Sequence, residues 1–95
     1  MIEVELTESG ILVSGHAQYA PHGQDIVCAA VSALTQTLVA SIEELTADEI
    51  EYSIEPGTAD IKLWNLSEEA SLLVDSFFVG IKAIADEYPA HVRIV

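Results

Sequence analysis

The 95-residue chain carries 16 Asp and Glu against 3 Lys and Arg, a formal charge of -13, and 51% of its residues are hydrophobic. That length and composition fit one folded domain over 1–95 with a single modest core, and exclude a disordered chain. Phosphate backbones and anionic membranes both need Lys and Arg, so neither is expected as a direct partner; an acidic surface steers basic partners inward or serves solubility alone.

IEVEL (2–6) alternates apolar and acidic residues with the period of a half-buried strand, TESG (7–10) supplies a turn, and ILVSGH (11–16) reads as the returning strand. The segment 17–24 holds Pro21 and Gly23 and lacks periodicity, which predicts a loop ending at Asp25. Helical spacing follows over 25–45, with Val27, Val31, Leu34, Leu38, Ile42 and Leu45 at intervals of three and four. Asp25 is the expected N-cap, which makes Cys28 the third helical residue. EIEYSIE (49–55) and ADIKLW (59–64) read as a second strand pair around the turn PGT (56–58).

Ser67 predicts a second N-cap, and Glu68 and Glu69 suit the positive end of the helix it opens. That helix runs to about Tyr88, with Ala70, Leu73, Phe77, Ile81 and Ile84 on one face; Pro89 stops it and HVRIV (91–95) is a last strand. The order ββαββαβ predicts an α+β, two-layer fold with a mostly antiparallel sheet and two helices. Ile26, Ala30, Ala33, Leu72 and Val79 exceed what one core-facing stripe needs, so either a homodimer covers them or the helices are buried over a wide arc.

Cys28 is the only cysteine, so no internal disulfide forms. The N-terminus lacks the pattern of a signal peptide, no apolar run looks long enough to span a bilayer, and the reducing cytoplasm is the expected compartment. A cysteine in the opening turn of a helix meets the positive end of the macrodipole and free backbone amides, which favour the nucleophilic thiolate. His16 ends a strand that returns through the loop to this helix, so its imidazole can serve as acid and base. The free first-turn amides, including that of Cys28, are candidate donors to an oxyanion. The plainer alternative makes Cys28 a small buried hydrophobe and His16 a strand-end residue. No metal or other cofactor is expected, because Cys28 with His16 and His22 lacks the spacing and a fourth ligand.

The run GHAQYAPHGQDIVCAAVSAL (15–34) resembles the signature of the ribosomal-processing cysteine protease family, also described as YsxB-like. Gly15, His16, Ala17, Gly23, Asp25, Ile26, Val27, Cys28, Ala29 and Ser32 match its pattern, and length and element order match over the whole chain. The resemblance implies a homodimeric endopeptidase with Cys28 as nucleophile and His16 as general base and acid. Its implied substrate is a ribosomal protein precursor, large-subunit protein twenty-seven, whose short N-terminal extension ends in a Phe-Phe-Ala-like motif and is cut after the small residue. Asp25, Ser32 and Gly15 would support the site. Ser32 lies one turn beyond Cys28, where its hydroxyl can bond near the thiol or the loop, or back to the carbonyl four residues earlier.

Ala17, Gln18, Tyr19, Ala20, Pro21, His22, Gly23 and Gln24 form the expected substrate loop, a lid that orders around an extended peptide. Within it His22 reads as a solvated residue without an assigned role. Two other functions fit part of the sequence. A non-catalytic acidic adaptor for a basic ribosomal protein explains the charge but not the His16 and Cys28 pattern, and a phage-type relative would keep the chemistry and trim capsid or scaffold proteins.

Overall fold

Alternation along the strands, in register from strand to strand, sorts one face of a sheet as apolar and the other as charged. The computed structural model describes residues 1–95, and the expected order is the one observed: β1 (Ile2–Thr7), β2 (Gly10–Ser14), α1 (Ile26–Leu45), β3 (Glu51–Glu55), β4 (Thr58–Lys62), α2 (Glu68–Glu87) and β5 (Val92–Ile94). The five strands form one sheet in the order β3-β4-β2-β1-β5, with β5 parallel to β1 and every other pair antiparallel. Across it Val4 faces Val13, Val13 faces Ala59 and Ala59 faces Ile54, while Ile11 faces Ile61 and Ile2 faces Val92. The charged residues Glu3, Glu5, Asp60 and Lys62 alternate with these onto the opposite face, so both helices cover the apolar one.

The helices bury faces slightly rotated from those the spacing suggests. On α1, Val27, Val31, Thr35, Leu38, Val39 and Ile42 are buried, whereas Leu34 is half-buried and Leu45 exposed. On α2, Ala70, Val74, Phe77 and Ile81 are buried, and Leu73 and Ile84 only partly. Thr35 replaces an apolar residue at no polar cost, since its hydroxyl donates to the Val31 carbonyl at 2.8 Å. Contrary to the sequence-based expectation, α1 is long and apolar enough to cross a membrane by length and composition. Its buried apolar residues belong to the same core cluster as those of β1, β2, β4 and α2, so core packing accounts for its composition.

The apolar face of the sheet extends past the helical layer at β3. All five β3 residues are exposed, and Ile54, although it faces buried Ala59, remains 39% accessible. The uncovered strip forms one wall of a cleft. β5 pairs with β1 only as far as Val4, which leaves Leu6 58% exposed although its cross-strand neighbour Ile11 is buried. Ile61→Ala should therefore lower the unfolding free energy by about 2–5 kcal/mol in urea titrations, whereas Leu6→Ala should change it by no more than about 0.5 kcal/mol.

Candidate active site

Asp25 terminates the loop and opens α1. Its Oδ1 accepts the Val27 and Cys28 amides at 3.0 and 2.9 Å, and its Oδ2 accepts the Tyr19 and Ala20 amides at 2.9 and 3.4 Å. One carboxylate thus starts the helix that carries Cys28 and ties the loop down beside it. The Cys28 amide, foremost, holds the Asp25 carboxyl below the ordinary carboxylate range; partial desolvation opposes it, and the Tyr19 and Ala20 amides and the Cys28 side chain add to the lowering. Occupation of the Cys28 amide overturns its expected role as oxyanion donor. A cap that satisfies the first-turn amides removes them from the chemistry.

His16 is reached by leaving the sheet early. The strand expected over 11–16 stops at Ser14, and Gly15 turns the chain at φ +95, where a Cβ would lie 2.2 Å from the Met1 carbonyl oxygen. The Gly15 amide donates to the Gly57 carbonyl at 2.9 Å, and the Met1 nitrogen donates to the His16 carbonyl at 2.6 Å. The imidazole of His16 then lies on Gly57, in the two-residue turn between β3 and β4. A Cβ at Gly57, itself at φ +81, would stand 2.8 Å from His16 Nε2. The turn glycine is therefore also the floor under the histidine, a role that turn chemistry alone does not reveal.

Ala17 follows His16 and is not part of a free lid. Its side chain is 1% exposed within the core, its amide donates to Cys28 Sγ at 3.3 Å, and its carbonyl lies 2.8 Å from His91 Nδ1. Tyr19 packs edge-on against both His91 and Tyr88, with ring centroids 5.4 and 5.3 Å away. Pro21, His22, Gly23 and Gln24 remain exposed, and the nearest pinning contact to them is the Gln24 amide to the Pro21 carbonyl. The sequence pattern assigns His91 to the final strand, which begins instead at Val92, and nothing in its spacing marks it as the loop's anchor.

These elements enclose a cleft of about 630 Å³. It is lined by His16, Cys28, Asp25, Ser32 and Gly15, by Gln18, Ala20, His22 and Gly23 from the loop, and by Ile54 to Ala59 from the β3–β4 hairpin. The structure thus brings the proposed pair and its supporting residues to one place, together with half of the expected loop. Ala17, Tyr19, Pro21 and Gln24 are not among its walls. Ser32 faces the cleft without either hydrogen bond expected of it, so its hydroxyl is open to a ligand. His22 lines the cleft as well as His16, so proximity alone does not choose the base.

A cysteine at a helix start, a histidine across a loop and a cleft that both of them line are the parts of a thiol hydrolase. The family model described as cysteine protease Prp matches residues 1–93. The chain belongs to the Prp family of cysteine proteases. The ribosomal processing cysteine protease Prp of Mycoplasma genitalium is 33% identical over 94 residues, covering 99% of this chain and 94% of that one. A crystal structure of Prp from Staphylococcus aureus in complex with a covalently linked product peptide superposes with a TM-score of 0.85 at 25% identity, covering 98% of this chain and 94% of that one. The same Prp in complex with a substrate peptide gives 0.81 at 25% identity, over 99% and 95%. The two-helix, five-stranded architecture is that of the Prp structures.

The Asp25 arrangement has a defined pH signature. Because its carboxyl is held below the ordinary value of 3.8, its contribution is complete above that value and is lost as pH falls through the lower folded-state value. In Asp25→Asn, Oδ1 still caps Val27 and Cys28, but an amide NH2 meets the Tyr19 and Ala20 donors. Hydrogen exchange at Tyr19 and Ala20 should accelerate while Val27 and Cys28 stay protected, and the stability difference from the parent should shrink only below pH 3.8.

Proposed function

We propose that this chain is a cysteine endopeptidase that removes the short N-terminal extension of large-subunit ribosomal protein twenty-seven during ribosome maturation, in the cytoplasm. Cys28 is the nucleophile and His16 the general base and acid. The observation that carries the reading is that Cys28, at the capped start of α1, shares one cleft with His16 in a chain of the Prp family. Relatives named for ribosomal processing, one of them crystallised with substrate and covalently linked product peptides, support a peptide as the occupant.

In this mechanism the Cys28 sulfur attacks the scissile carbonyl and His16 delivers a proton to the leaving nitrogen. The resulting thioester is hydrolysed by a water that gives its proton to His16. Ile54 and Val13 offer apolar wall to an extension rich in phenylalanine, and Glu55 stands at the hairpin end of the cleft. A formal charge of -13 draws the basic protein that follows the extension.

The enzyme works as a homodimer. Leu72 and Val79, seven residues apart on one stripe of α2, are 69% and 71% exposed, and Ile26 is 57% exposed; a second copy of the chain covers them. Sedimentation velocity should show a dimer for the parent and a monomer for Val79→Asp.

The decisive experiment is a mass-spectrometric cleavage assay on a peptide with a Phe-Phe-Ala-Ser junction and a basic tail. The parent should cut once, after Ala, and Cys28→Ala should not cut. His16→Ala should lower turnover by about 100-fold to 10,000-fold, and His22→Ala should not. Binding without cleavage by both parent and Cys28→Ala would instead favour the adaptor. Gly57→Ala, by displacing the imidazole, should lose much of the same activity, and the double variant with His16→Ala should be far less than additive.

A further inference from the structure

A thiol that attacks an amide needs a hydrogen-bond donor for the oxygen that becomes negative. The usual source beside a helix-borne nucleophile, its own amide, is spent here: the Cys28 N–H lies 2.9 Å from Asp25 Oδ1, the Val27 N–H shares that oxygen, and the Ala29 N–H donates to the Asp25 carbonyl at 3.1 Å. One backbone N–H does face the sulfur. It belongs to Ala17, 3.3 Å from Cys28 Sγ. We infer that the Ala17 amide is an oxyanion donor of this site and that His91 is the positioning residue that holds it there. The inference rests on Cys28 being the nucleophile.

The fixation of Ala17 suits that task. Its side chain is 1% exposed in the core, so the residue cannot swing with the outer loop. The peptide before it is held through the His16 carbonyl by the Met1 nitrogen at 2.6 Å, and the peptide after it through the Ala17 carbonyl at 2.8 Å from His91 Nδ1. A carbonyl only accepts, so Nδ1 carries the hydrogen in this contact. Tyr19, edge-on to His91 at 5.4 Å, keeps the ring in place. A donor locked before substrate arrives costs no reorganisation in the transition state, which is what makes such a dipole effective.

The step is as follows. A sulfur lone pair forms the C–S bond while the carbonyl π pair moves onto oxygen, beside Sγ, where the Ala17 N–H points. Collapse returns that pair, breaks the C–N bond and leaves the thioester, the departing nitrogen taking its proton from His16. Water then adds to the thioester, giving a proton to His16; the oxyanion forms again beside the same N–H, and its collapse breaks the C–S bond.

The test uses ligation at Cys28, which joins a synthetic 1–27 segment to 28–95 and allows Ala17 to be replaced by lactic acid. An ester oxygen then stands where the N–H was, and the side chain is unchanged. Two reactions are followed in the parent and the ester variant: cleavage of the Phe-Phe-Ala-Ser peptide, and alkylation of Cys28 by iodoacetamide, which displaces iodide at a saturated carbon and forms no oxyanion. The expected result is a fall of roughly 100-fold to 1,000-fold in kcat with KM little changed, against a fall of no more than about tenfold in alkylation, which loses only the Ala17 N–H bond to Sγ.

His91→Phe, which keeps a ring against Tyr19 and loses the donor, should lower kcat in the same selective way. His91→Asn, whose amide N–H can reach the same carbonyl, should restore most of it. Cleavage by the ester variant within about threefold of the parent overturns the inference, as does a loss shared equally by cleavage and alkylation. Should the ester variant not fold, an unchanged kcat in His91→Phe overturns it. A parent that leaves the peptide whole, or a Cys28→Ala variant that cuts it, refutes the nucleophile assignment itself, and the present inference falls with it.

Discussion

Four backbone amides from two segments converge on the Asp25 carboxylate, two from the first turn of α1 and two from the loop that precedes it. Remove the side chain, as in Asp25→Ala, and both segments lose their common reference. The helix start would fray, so the sulfur would no longer be fixed along the axis of α1. The loop would lift, so the residues that form one end of the cleft would lose their position. The core cluster meets the loop through Ala17, and Tyr19 packs on Tyr88 and His91, so the stretch from Ala20 to Gln24 depends on Asp25 for its hydrogen bonds to the rest of the fold. A carboxylate accepts on both oxygens from opposite directions, whereas an amide of the same shape caps the helix with its one oxygen and turns an NH2 toward the loop donors.

The second constraint is a mismatch of widths. Two helices cover the strands from β5 to β4 and reach β3 only where the Tyr52 hydroxyl donates to Glu43 of α1, so the apolar face continues into solvent along Ile54. The cleft lies where the helical layer ends, with the N-terminal half of α1 on one side and the β3–β4 turn on the other. That turn also carries the floor for His16. The tight Pro56-Gly57 connection needs a residue at φ +81, glycine answers that need, and the missing side chain leaves the space that the imidazole occupies. A turn requirement and a site requirement are met by the same absent atom.

Much of this was legible in the amino acids. The period-two and period-3.6 patterns fixed the element order, and Asp25 and Ser67 stood out as caps because the side-chain chemistry of capping is local. The cysteine and histidine in GHAQYAPHGQDIVCAAVSAL were visible for a similar reason: they flank one loop. What escaped were contacts between distant segments. His91, 74 residues from Ala17, and Gly57 under His16 have no sequence neighbourhood that advertises them. The same blindness explains the helix faces, since Thr35 and Val39 are buried by where the sheet and α2 sit, not by α1's own periodicity. The free first-turn amides and the Asp25 cap were incompatible from the start, because both used the same N–H groups.

The distribution of charge suggests how the proposed work divides. The net charge of -13 acts over a Debye length of about 10 Å in moderate salt, far enough to gather a basic precursor but too diffuse to choose a bond. Near the sulfur the field is different. The closest carboxylate, Asp25, has its charge taken up by four amides, and the neighbouring wall is Ile54, Val13 and Ala59. In the proposed reaction, selection of the cut falls to short-range packing of apolar substrate side chains and to fixed backbone dipoles, while long-range charge sets only how often a substrate arrives. Raising the ionic strength separates the two contributions, since it screens the encounter and leaves buried packing largely untouched.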